Sequence, residues 1–340
     1  MFTPHHLVRF GWNEAVSHAF STLDLDLYEP GRVVRVDRGE CDVVTASGQI
    51  RARTGAQSVC TGDWVTVGGS VVEDVLPRHS AIVRASASIR SESQVLAANV
   101  DTVVIAAALD TDVDLGRIER FLALAWESGA TPVVALTKAD AALDVSRALA
   151  DVAAIAPGAT VLAVSARTGD GLDVLIAAVD GTVALVGQSG AGKSTLANAL
   201  LGEDLFATGE VRHGDHKGRH VTAHRELVPL PGGGTLIDTP GLRGVGLWDA
   251  ADGIGRAFSE IDALAEQCRF GDCNHDAEPG CAVRDAVERE ELPQRRLDSY
   301  RKLQRENEWM AARTDARLQA ERTRQVKVQS RWLKERYRNR

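Results

Sequence analysis

Between residues 31 and 84 the apolar positions fall in short β-rich runs, over 32–36, 42–45 and 64–67, broken at Gly39, Ser47-Gly48, Gly62-Asp63 and Gly68-Gly69. Strands punctuated this often predict a small all-β barrel, taken as 31–86 after an amino-terminal extension over 1–30. Residues 85–94 are rich in Ser and Ala with charges interspersed, and read as a linker. From there the pattern changes. Apolar runs over 102–107, 132–136, 160–164 and 182–186 alternate with helical periodicity over 115–128, 143–155 and 193–201, and further strand candidates lie at 226–229 and 235–237. Buried strands separated by helices predict a parallel sheet covered on both faces, assigned to 95–250. Residues 251–340 read as helical, so the fold class is multidomain α/β: a barrel, an α/β domain and a helical C-terminal domain.

Composition changes this picture little. A chain of 340 residues, 44% hydrophobic and 25% charged, fits two or three globular domains. No stretch approaches the ~20 uncharged apolar residues of a membrane span, and residues 1–30 lack a basic start followed by an apolar segment. A cytoplasmic protein without a membrane partner, monomeric, is expected. Of five cysteines, three crowd between Cys268 and Cys281 while Cys41 and Cys60 stand alone, unlike a disulfide scaffold. The net charge of −8 hides an asymmetry: residues 301–340 hold 13 Lys or Arg against 5 Asp or Glu, so the preceding 300 carry −16.

The chemistry concentrates at strand ends. Gly187-Gln188-Ser189-Gly190-Ala191-Gly192-Lys193-Ser194 fits the phosphate-binding pattern G-x-x-x-x-G-K-[ST] between an apolar strand and a helix, with Thr195 next in line. Glycines let successive N–H groups turn onto phosphates, Lys193 reaches the β/γ oxygens, and Ser194 ligates Mg²⁺. Asp238-Thr239-Pro240-Gly241 follows a strand, which puts Asp238 near the Mg²⁺ and the Gly241 N–H near the γ-phosphate. Thr137-Lys138-Ala139-Asp140 also follows a strand, and a carboxylate there can accept both the ring N–H and the exocyclic amine of guanine. Ser165-Ala166, at another strand end, could offer a backbone N–H to the guanine oxygen. Together these segments indicate GTP rather than ATP.

Their order is unusual, because the guanine segments precede the phosphate loop, which precedes Asp238. The domain therefore reads as circularly permuted, with the segment around Asp238 running straight into the C-terminal region. Leu242 stands where many GTPases carry a water-orienting Gln, so slow intrinsic hydrolysis is expected. The polar stretch over 218–225 occupies the place of a first switch. Thr222 is the candidate second Mg²⁺ ligand there, and His220 or His224 a candidate to orient water, although a loop histidine can equally be solvated.

Cys268, Cys273, His275 and Cys281 offer three thiolates and an imidazole within fourteen residues, a closed shell for one structural zinc ion per chain. The basic tail carries Trp309, Trp332 and Tyr337 and could lie on nucleic-acid phosphates, its aromatic rings packing on the protein or stacking on bases.

These residues resemble the ribosome small-subunit-dependent GTPase A family (RsgA) over nearly the whole chain after about Gly31. The most specific stretch runs from Gly218-Arg219-His220 through Glu226-Leu227-Val228-Pro229-Leu230-Pro231-Gly232-Gly233-Gly234 to Asp238-Thr239-Pro240-Gly241-Leu242-Arg243, Gly246-Leu247-Trp248-Asp249 and the cysteine cluster. The resemblance implies an oligonucleotide-binding (OB) barrel, a circularly permuted P-loop GTPase domain and a zinc-binding helical domain. It further implies a grip on the small ribosomal subunit late in its maturation, with ribosomal RNA stimulating the hydrolysis of GTP to GDP. Family members commonly carry three threonines where this chain has Val221-Thr222-Ala223, so only Thr222 can serve. Residues 1–30 and those beyond Gln319 match no family pattern. Two other readings are a nucleotide-gated RNA-binding module with incidental turnover, and a P-loop ATPase with a zinc module, which Asp140 opposes.

Overall fold

Residues 29–75 close into a five-stranded barrel, whose strands Glu29–Val36 and Trp64–Gly68 are buried along most of their length. Its strands are β1 (Glu29–Val36), β2 (Glu40–Thr45), β3 (Gly48–Arg53), β4 (Trp64–Gly68) and β5 (Val71–Val75). Successive neighbours run β1-β2-β3-β5-β4, β3 meets β5 in parallel, and β4 returns to β1 to close the cylinder. Val33, Cys41, Val43, Val65 and Val67 are among the side chains that fill its interior. The computed structural model describes residues 5–21, 28–85, 93–206, 225–238 and 249–314.

Helices α1 (His5–Val8) and α2 (Glu14–Ser21) lie against the outside of the barrel. Leu7 and Phe20 are fully buried there, and Trp12 stacks on Phe20 at 5.3 Å and meets Trp64 edge-on at 5.5 Å. Part of the extension that the sequence left without a role is thus apolar cover for the barrel.

After the barrel comes a hairpin, β6 (Ala81–Ala85) with β7 (Ser93–Ala98). Its strands reach into both ends of the segment read as a linker; residues 86–92 of that segment lie outside the described residues. The sequence reading missed β7 because Ser93 and Gln94 mask a strand whose remaining residues are small or apolar.

The α/β sheet contains β8 (Thr102–Ala108), β9 (Thr131–Thr137), β10 (Thr160–Ala163), β11 (Thr182–Gly187), β12 (Glu226–Pro229) and β13 (Thr235–Asp238). Its order is β10-β9-β8-β11-β13-β12, parallel except for β12 at the edge. Successive residues of β8 face opposite ways. Val104 joins a core with Leu175 of α5 (Leu172–Ala178) and Leu196 of α6 (Lys193–Leu201), whereas Val103 and Ile105 join the core of α3 (Leu115–Glu127) and α4 (Val145–Ala153). Asp114 and Asp144 start α3 and α4 by accepting the amides of Arg117 and Arg147. β12 also pairs with β1 through Glu226 and Arg35, so barrel and sheet are one continuous surface of strands.

The C-terminal helices are α7 (Ala251–Ala257), α8 (Ser259–Ala265), α9 (Ala282–Glu288) and α10 (Gln294–Thr314). α7 crosses α3 so closely that a Cβ on Gly253 would fall 2.1 Å from the Ala123 carbonyl oxygen, which only a residue without a side chain permits. No helix among the described residues is long and apolar enough to cross a membrane.

Candidate nucleotide and metal sites

The carboxyl ends of β10, β9, β11 and β13 open on one edge of the sheet, where parallel sheets bind ligands. At the end of β11, Gly187 has φ +144°, and a Cβ there would stand 2.4 Å from the Ala106 carbonyl oxygen of β8. Glycine alone lets the strand run this close and turn at once into the loop. Gly192 caps α6 with no side chain over the helix start, so the first-turn amides face outward, as an anion requires. Lys193 Nζ arches over the loop to the carbonyls of Gly187 (2.9 Å) and Gln188 (2.7 Å). Ser194 and Thr195 follow in the first turn of α6.

Thr137, the last residue of β9, donates from Oγ1 to the Ala191 carbonyl at 2.8 Å and so ties the guanine segment to the phosphate loop. Lys138 is left-handed, with φ +57°, and its Nζ lies 2.6 Å from Asp110 Oδ2. Asp140 sits in the following turn, where Oδ1 accepts from Ser165 Oγ at 2.6 Å and Oδ2 lies 3.4 Å from Arg167 Nε. The Ser165 hydroxyl, more than the Arg167 charge, holds the Asp140 carboxyl below its usual range. The Ser165 amide is spent on the Asp170 carbonyl, which leaves Ala166 as the residue of that pair able to offer an N–H outward. Asp238 ends β13 opposite Glu226. Residues 137–140, 165–166, 187–195 and 238 therefore converge, whereas His220, Thr222, His224 and Gly241 lie outside the described residues.

A cavity of about 270 Å³ adjoins this edge, between the outer face of residues 188–191, Lys138, and the start of α3. Asp110 and Arg167 escaped the sequence reading. The one available signal for Asp110 was its position just past an apolar strand, and Arg167 directly follows Ser165-Ala166.

In the helical region, Cys268 follows α8 and Cys281 caps α9. Cys268 Sγ and Cys281 Sγ lie 3.9 Å apart, His275 Nδ1 is 3.6 Å and 3.5 Å from them, and all four ligand atoms, Cys273 included, fall within 4.8 Å of one another. Tetrahedral bonds of ~2.3 Å to sulfur and ~2.0–2.1 Å to nitrogen need edges of about 3.5–3.8 Å, so the cluster fits a four-coordinate metal ion. Burial works to raise the Cys268 thiol, but the Val283 and Ala282 amides and the neighbouring sulfurs bring it below its ordinary value. Cys273 is instead pushed up to about 11 by burial and by the two nearby thiols. Three sulfurs this close resist ionising together without a cation among them. Glu278 braces the loop by accepting the amides of Asn274, Asp276 and Ala277.

A mostly parallel sheet with a phosphate-loop motif, the candidate guanine segments before it and an Asp strand end after it is the architecture of a circularly permuted P-loop GTPase. The chain belongs to the RsgA GTPase family, whose model matches residues 75–248, and it is accordingly a GTP-hydrolysing enzyme. It is 58% identical to a small ribosomal subunit biogenesis GTPase RsgA of Streptomyces avermitilis, over 93% of this chain and 90% of that one. To the protein of that name from Opitutus terrae it is 43% identical, over 95% of each. The fold is similar to the crystal structure of YjeQ from Thermotoga maritima, at TM-score 0.60 and 26% identity, covering 82% of this chain and 97% of the other. YloQ, described as a circularly permuted GTPase, shares the fold at TM-score 0.58 and 24% identity, over 80% of this chain and 92% of that one.

Proposed function

We propose that this GTPase binds the small ribosomal subunit and hydrolyses GTP to GDP and phosphate during late subunit maturation, stimulated by the subunit or its ribosomal RNA. The observation that carries the proposal is the 58% identity, across nine-tenths of both chains, to a relative named for small ribosomal subunit biogenesis. In this reading Asp140 accepts the two guanine N–H groups, the Ala166 amide meets the guanine oxygen, and Thr137 and Lys138 hold the base segment against the phosphate loop. Residues 187–195 cradle the phosphates, and Lys193 neutralises β/γ charge, which is where phosphoryl transfer needs it.

Mg²⁺ would be held by Ser194, Asp238 and Thr222 and would supply positive charge against the charge that develops during phosphoryl transfer. The three thiolates and His275 suit a structural zinc ion, because thiolate-rich tetrahedral shells favour it and leave no position open for water. The domain scheme that supports this reading is an OB-type barrel over 31–86 after the amino-terminal extension, the GTPase over 95–250, and the zinc-binding domain with its basic tail over 251–340. The enzyme would act as a cytoplasmic monomer. Leu242 cannot orient water, so the subunit would complete the site, with His220 or His224 as candidates within the chain.

Hydrolysis measured with and without purified small subunits tests the proposal. A rise of roughly tenfold or more is expected, since completing a GTPase site from outside acts on the chemical step. Turnover indifferent to the subunit overturns it.

A further inference from the structure

Asp110 belongs to none of the segments assigned above to the nucleotide, yet its carboxylate lies 2.6 Å from the Lys138 ammonium. We propose that Asp110 is a positioning residue for the guanine nucleotide, holding Lys138 at the rim of the phosphate loop. The inference rests on the GTP-binding reading of that edge.

Three observations carry it. First, the two residues are fastened together by their backbones, because the Leu109 amide donates to the Thr137 carbonyl at 2.9 Å. The residues that follow each of these are Asp110 and Lys138, so the ion pair is built onto a fixed frame. Second, Lys138, Asp110 and residues 188–191 line the same cavity, so the pair adjoins the loop. Third, the other cation lining this cavity has its own partner: the Arg117 Nε lies 3.4 Å from Asp114, the residue that caps α3.

A lysine has a flexible four-carbon stem, and each binding event must confine it. Asp110 confines it beforehand, which is preorganisation of the binding site. Both partners are more than a third exposed, at 37% and 38%, so water screens their attraction and the benefit is modest. Nucleotide in the ground state and in the transition state should use the positioned lysine equally, so KM should rise while kcat stays. Asp110 buries no core surface, so its loss should leave the melting temperature unchanged.

The test uses the full chain and fluorescent N-methylanthraniloyl GDP and GTP, with dissociation constants and release rates for wild type, Asp110→Ala, Asp110→Glu, Lys138→Ala and the double variant. Asp110→Ala should weaken both nucleotides by roughly three- to fivefold, the size of a half-exposed ion pair, mostly through faster release. Asp110→Glu should recover part of this, and Asp110→Ala should add nothing once Lys138 is alanine. Wild-type affinity in Asp110→Ala, or an undiminished extra loss in the Lys138→Ala background, overturns the inference. If the wild type itself binds neither guanine nucleotide, the underlying GTP-binding reading is what has failed.

Discussion

At the scale of a residue, one hydroxyl fixes the orientation and charge of the candidate base-reading carboxylate Asp140. Ser165 Oγ fills one oxygen from outside the turn, orients the group and stabilises its charged form. Because that pKa is lowered, the charged state is present above the ordinary carboxylate range and is lost only when the pH falls below it. GTP affinity should therefore stay flat from neutrality down through about pH 5, as far as Asp140 governs it. Replacing Asp140 by Asn should weaken GTP by roughly a hundredfold, because a buried donor is left facing a donor, and should favour xanthosine triphosphate, whose base offers an oxygen there. Competition binding with the two nucleotides reads this directly; an unchanged preference would place base recognition elsewhere. Asp140 was legible in the sequence from its spacing after an apolar strand. Its partner Arg167 and the lysine's partner Asp110 were not, because no spacing rule links side chains on different strands.

At the scale of an element, α3 has two clients. Its start borders the nucleotide edge, and its middle receives the C-terminal helices. Glu119 is fully buried on α3 and accepts from Arg295, from Arg296 at 2.8 Å and from Ser299, all on α10; Arg120 pairs with Glu306, about two turns beyond Ser299 on α10. Arg296 also covers the Phe258 ring at 4.1 Å and donates to Glu260 and the Ala257 carbonyl, so it knits α7, α8 and α10 together. Glu119→Ala would remove the buried carboxylate of the pair from a guanidinium that is only 3% exposed, leaving it Glu260 and the Ala257 carbonyl. The expected cost is about 3–5 kcal/mol, the usual price of removing one side of a buried ion pair. Urea unfolding should show it, and a loss of unfolding free energy below about 1 kcal/mol would mean that Glu260 and the Ala257 carbonyl suffice for Arg296. Helical periodicity identified α3 from the chain alone, and α10 falls in the stretch that reads as helical without bounds. That Glu119 would be inside was invisible, since an acid in a helix ordinarily marks the solvent face.

At the scale of the whole molecule, the three cysteines and His275 could hold a metal ion that ties the helical region together, as the hydrophobic core ties the barrel. Removing the ion with a chelator should loosen residues 266–281 and lower thermal stability while leaving the barrel folded, because binding free energy at such sites is folding free energy. Acid should do the same, for reasons that can be separated. Glu278 is held down to about 2 by its own amide and that of Asn274, then by those of Asp276 and Ala277. Its bracing of the loop is thus present above the ordinary Glu range and fails only as the pH approaches 2. The sulfurs and His275 must shed protons to bind, so the ion should leave well before, by about pH 4. Metal analysis across that range tests this: retention of the ion at the lower pH would point to ligands other than thiolates.

The sequence by itself determined the local grammar: strand and helix periods, the phosphate-loop motif between them, the permuted order of motifs, and four candidate metal ligands close along the chain. Each of these depends on neighbours within a few turns, which is the range over which side-chain spacing carries physical information. Arg32 marks what only the tertiary structure decided. By sequence it is a polar position in a β-strand, facing water. In the fold it is 2% exposed, with its guanidinium 4.5 Å above Trp64 and donating to Thr182 Oγ1 at 3.0 Å, at the foot of the strand that leads to the phosphate loop. Burial lowers its pKa to about 10, partly offset by Asp101 and Asp63. Barrel, amino-terminal helices and GTPase sheet meet around that one charge, and their meeting depends on surfaces brought together from positions up to 150 residues apart, which no local pattern encodes.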